Sequence, residues 1–129
     1  GSSCMNRTIL EFQKEIYSIA IEKGFYEERR NIPTKLMLIV SEISEAMEAD
    51  RSGKRMVKSI DVVNGWHFVN DFIPYFENHC KDTFEDELAD AVIRILDLAE
   101  YEGINLEAHI IAKIRYNKTR DIKHGGKKY

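Results

Sequence analysis

Apolar residues recur at three- and four-residue spacing along four stretches of this chain, and period-two alternation is nearly absent. Ile9, Phe12, Ile16, Ile19 and Ala20 share one face of a helix predicted over Thr8 to Lys23, with Thr8 as N-cap and Gly24 as its stop. A second helix is predicted to begin after Pro33, near Thr34, and to run to Asp50, where Arg51-Ser52-Gly53 breaks the pattern. A third starts at Thr83, an N-cap with Asp86 three residues on, and ends near Gly103. A fourth runs from Asn105 to about Asp121. The expected fold is all-α, a four-helix bundle with an insertion, residues 51–82, between helices two and three. That insertion holds Trp66, Phe68, Phe72 and Phe76, and its aromatic content argues against disorder; short helical pieces interrupted at Pro74 are expected.

A helical wheel at about 100° per residue places the polar positions. In the second helix Leu36, Ile39, Val40, Ile43, Ala46 and Met47 form one apolar face, while Glu42 and Glu45 share a second seam with Leu38 and Ala49. In the third, Leu88, Ala89, Val92, Ile95, Leu96 and Ala99 form the apolar face, and Glu87, Asp90, Arg94 and Asp97 a polar stripe beside it. Glu42-x-x-Glu45 and Glu87-x-x-Asp90 are therefore two pairs of carboxylates, each pointing one way from a largely apolar helix. The bland alternative is a solvated stripe with internal ion pairs, such as Asp90 to Arg94. Two pairs from packed helices would instead gather four negative charges, which a folded interior tolerates only with a compensating cation. All-oxygen ligands favour Mg²⁺, with Mn²⁺ as a substitute, over zinc.

At 129 residues and 15.0 kDa the chain has room for one domain, expected over 5–129, with Gly1-Ser2-Ser3 resembling an expression scar. The net charge of -3 conceals a basic C-terminal end that includes the tail 122–129. Basic clusters bind phosphate, but an acidic chain without a recognition motif argues against nucleic acid as partner. No apolar run approaches a membrane span, no signal segment appears, and Cys4 and Cys80 make no disulfide framework, so a cytoplasmic location is expected by default. His67, His79, His109 and His124 match neither zinc nor di-iron spacing.

The ordered motifs resemble the MazG-like all-α nucleoside triphosphate pyrophosphohydrolases, a superfamily that includes dimeric dUTPases and dCTP pyrophosphatases. The residues carrying the likeness are Ser41-Glu42-Ile43-Ser44-Glu45, Glu87-Leu88-Ala89-Asp90, Asn31-Ile32-Pro33-Thr34-Lys35-Leu36, Gly103-Ile104-Asn105-Leu106-Glu107 and Lys113-x-x-x-Asn117-x-x-Arg120. Ser41 stands where the family signature has its first Glu, and the gap over residues 46 to 86 is longer than usual. The resemblance implies magnesium-dependent cleavage of an NTP or dNTP to the monophosphate and pyrophosphate, a house-cleaning activity on the nucleotide pool. It implies Glu42, Glu45, Glu87 and Asp90 as metal-binding and catalytic residues, and Lys113, Asn117 and Arg120 as contacts to phosphate or sugar. Phe25, Trp66 and Gln13 are candidates for the base. A homodimer or homotetramer is implied as well. The alternative is a non-catalytic helical oligomerisation or binding module with acidic surface stripes.

Overall fold

The computed structural model describes residues 7–26, 31–56 and 72–125. Trp66, with most of the insertion, lies outside the described residues, as do Cys4, the Gly1-Ser2-Ser3 opening and the end of the basic tail. Among the described residues the chain is all-helical: α1 is Ile9–Glu22, α2 Ile32–Arg51, α3 Phe72–His79, α4 Phe84–Tyr101 and α5 Leu106–Gly125. No helix among them is long and apolar enough to cross a membrane.

The helix ends follow local side-chain chemistry. Thr8 and Glu11 form a reciprocal capping box at the start of α1. Asn31 caps α2 by accepting from the Thr34 amide at 2.9 Å, so this helix starts two residues earlier than its pattern suggests. Pro33 is tolerated because the first-turn amides have no intrahelical acceptor. For the same reason Pro74 sits in the first turn of α3 and does not interrupt it. At α4, Thr83 accepts from the Asp86 amide, while the Asp86 carboxylate takes the N–H of Asp82, not that of Thr83. Asn105 caps α5 through the Ala108 amide. Gly53 and Gly103, at φ +72 and +69, end α2 and α4 in the left-handed conformation that only glycine adopts without strain.

Two compact units divide the chain. One holds α1, the end of α4 from Leu96, and α5; the other holds α2, α3 and α4 up to Ile95. In the first, Gln13 of α1 is only 1% exposed and donates to Glu100 Oε1 at 2.8 Å and to the Ile104 carbonyl at 2.7 Å. The Leu10 amide donates to Glu107 Oε1 of α5. Tyr26 stacks on Tyr101 and packs tilted against Tyr17, with centroids 5.1 Å from each, and donates to Asp97 Oδ2 at 2.5 Å.

In the second unit Glu42 and Ala49 of the second seam of α2 and Ala46 of its apolar face turn inward, while most of the larger apolar residues do not. Glu42, Ala46 and Ala49 are buried on α2, whereas Leu36, Val40, Ile43 and Met47 are exposed. On α4 the buried line is Thr83, Glu87 and Ala91, while Leu88, Val92 and Ile95 are exposed. The inward faces carry small alanines, and the large apolar side chains are left outside. The turn after α2 is tied to α4 by the Phe84 amide on the Lys54 carbonyl at 2.8 Å and by the Met56 amide on Glu85 Oε1 at 3.1 Å.

Candidate metal centre

The inward faces of the second unit carry carboxylates. Glu42 of α2 and Glu87 and Asp90 of α4 each offer an oxygen, and these atoms lie within 4.8 Å of one another. Glu42 and Glu87 are buried, at 8% and 6% exposure, and Asp90 is half-buried. The Glu87 amide donates to the Thr83 carbonyl, but the Glu87 carboxylate has no hydrogen-bond or ion-pair partner among the described residues. Burial, then Glu45, Glu42, Asp90 and Asp86, push its carboxyl up to about 7. Asp90 is pushed up to about 6 by burial, then Asp86 and Glu42, with Arg94 opposing. These are groups held together against their mutual repulsion, the arrangement a divalent cation relieves.

One counter-charge is present. Arg94 Nε donates to Glu42 Oε1 at 3.1 Å, fixing that carboxylate from across the helix pair. The bland alternative of an Asp90 to Arg94 ion pair does not appear among the described residues: Arg94 pairs with Glu42, while its charge still favours the ionised form of Asp90. Glu45 is exposed and outside the triplet, but it lines a cleft with Glu87, Ser52, Lys54 and Asp82 and acts electrostatically on Glu87. A second acidic group, Asp82, Asp86 and Glu87, shares Glu87 with the first. Asp82 holds a left-handed φ of 67, which aspartate tolerates better than most residues. Its place follows from turn chemistry between α3 and α4, for which helical periodicity carries no signal.

The remaining described candidates belong to the other unit. Lys113, Asn117 and Arg120 are exposed on α5, in the other unit, with Lys113 and Arg120 over the Tyr116 ring at 5.2 and 5.6 Å. Phe25 is exposed, and Gln13 commits both amide hydrogens internally while its Oε1 is buried without a partner. Cys80 is a free, buried thiol whose pKa burial pushes up, so it is no ready nucleophile.

No family model matches this chain, and comparison with curated proteins and with solved structures also finds no match.

Proposed function

We propose that this chain is a magnesium-dependent nucleoside triphosphate pyrophosphohydrolase of the MazG-like kind, releasing a nucleoside monophosphate and pyrophosphate. The observation that carries the reading is the convergence of Glu42, Glu87 and Asp90 from two helices, with the Glu87 carboxylate buried and unpartnered among the described residues. The donor set suits Mg²⁺ or Mn²⁺, being all carboxylate oxygen without a histidine or thiolate in the cluster. Magnesium bound there would supply charge neutralisation on phosphate and a more acidic water.

The protein's own part is to hold the carboxylates in place. Glu42 shares its buried seam on α2 with Ala46 and Ala49, and Arg94 of α4 orients it. Glu45 borders the same site and is proposed as the fourth carboxylate. Lys113, Asn117 and Arg120 are assigned to phosphate by the motif resemblance alone. The exposed faces of α2 and α4 add support for self-association, because monomeric surfaces rarely leave such contiguous apolar stripes uncovered.

Manganese titration followed by paramagnetic resonance tests the site independently of turnover. Wild-type protein is expected to bind Mn²⁺ in competition with Mg²⁺, and Asp90→Asn and Glu42→Gln are expected to weaken it. Equal binding by all three proteins would place the metal elsewhere.

A further inference from the structure

Arg94 lies on α4 one helical turn beyond Asp90, on the polar stripe that also carries Glu87. Its Nε donates to Glu42 Oε1 at 3.1 Å, and among the described residues its two terminal nitrogens have no hydrogen-bond or ion-pair partner. The Arg94 side chain is 41% exposed, against 11% for that of Glu42. One edge of the guanidinium is thus held on a buried carboxylate of the cluster, while the terminal nitrogens keep their N–H donors uncommitted. Lys113 and Arg120, the cations that the motif resemblance assigns to phosphate, stand instead on α5 in the other unit, over the Tyr116 ring.

We infer that Arg94 is the cation that receives the phosphate chain of the metal-held nucleotide, its Nε fixing Glu42 while its terminal nitrogens bind phosphate oxygens. This role rests on the pyrophosphohydrolase reading for the nature of the anion. A guanidinium presents its donors as a planar fork that matches phosphate oxygens, and such charge-assisted bonds are stronger than neutral ones. Holding Nε on a buried partner restricts the side chain before the anion arrives, so less freedom is lost on binding. Charge points the same way. Glu42, Glu87 and Asp90 bring three formal negative charges, of which a divalent ion cancels two. Arg94 cancels the last, so a polyanion meets no net repulsion from the triplet. A lysine at this position supplies the charge but neither the fork nor the Nε anchor.

Calorimetric titration with inorganic pyrophosphate, with magnesium in excess, reads the anion site without turnover. Wild type is expected to bind it, and Arg94→Met to bind it about tenfold or more weakly, the scale of hydrogen bonds to a charged group. Arg94→Lys is expected to show a smaller loss, and keeps the test open if circular dichroism shows that the methionine variant does not fold. Mn²⁺ affinity, read by paramagnetic resonance without pyrophosphate, separates a purely structural role. It is expected near or above the wild-type value in both variants, since neither removes a ligand. Pyrophosphate affinity equal to wild type in both variants, or lowered only as far as Mn²⁺ affinity is lowered, overturns the phosphate role. Arg94 is then a positioning residue for Glu42, and the pyrophosphohydrolase reading stands. Wild-type protein that binds no pyrophosphate overturns the role as well. Absence of product from every triphosphate overturns the pyrophosphohydrolase reading and, with it, the nucleotide as the anion.

Discussion

Replacing Glu87 by glutamine is expected to stabilise the metal-free protein above neutral pH while removing its response to magnesium. The carboxyl is held at about 7 against an ordinary 4.5, by burial first and then by four neighbouring carboxylates. Below pH 4.5 it is protonated in the folded and unfolded chain alike, and contributes no penalty. Between 4.5 and about 7 the unfolded chain ionises while the folded one keeps its proton, so stability falls as pH rises, and the loss is complete above 7. A displacement of that size corresponds to roughly 3 kcal/mol against the ionised form. Water in the cleft shared with Glu45, Ser52 and Lys54 screens part of it, leaving about 1–2 kcal/mol for the glutamine to recover. For a chain of this length that is an increase in Tm of about 3–6 °C. Scanning calorimetry in chelator at pH 4 and pH 8 reads it directly: a gain at pH 8 and none at pH 4. Magnesium should raise the Tm of wild type and leave the variant unmoved. A lower or unchanged Tm for Glu87→Gln at pH 8 in chelator would refute the picture of repelling buried carboxylates.

Further outcomes follow from the same geometry. Asp90→Asn and Glu45→Gln are each expected to abolish NTP turnover with the helical content retained, measured by product release alongside circular dichroism. Tyr26→Phe leaves the Asp97 carboxylate without its phenol donor and is expected to destabilise by about 1–3 kcal/mol, read by denaturant unfolding. Light scattering is expected to give at least a dimer, with Val40→Lys or Val92→Lys shifting it toward 15.0 kDa; a wild-type monomer would remove the oligomer proposal.

Periodicity and capping chemistry were enough to place the four long helices, because each has a side-chain cap or a glycine stop within its own segment. Thr8, Thr83 and Asn105 sit at N-termini, and Gly24, Gly53 and Gly103 follow the C-termini, where their backbone roles demand them. The facing of the helices was less legible. A wheel ranks faces by hydrophobicity alone; of its faces on α2 and α4, Ala46, Leu96 and Ala99 are buried but Leu36, Val40, Leu88 and Val92 are exposed. The buried seam of the second unit runs through small residues, Ala46, Ala49 and Ala91, which weigh little in a ranking by hydrophobicity. The carboxylates on that seam were visible as pairs. One feature escaped, because it does not depend on local spacing: the ion pair of Arg94 with Glu42. It is a long-range contact, made only when separate helices pack.

The central claim is that the carboxylate cluster serves cleavage of a nucleoside triphosphate between its α- and β-phosphates. Phosphorus resonance spectra, recorded while the protein acts on a panel of NTPs and dNTPs with magnesium, test it most directly. The expected products are a nucleoside monophosphate and pyrophosphate, formed in equal amounts and not formed when magnesium is chelated. Release of orthophosphate with a nucleoside diphosphate, or unchanged spectra across the whole panel, would contradict it.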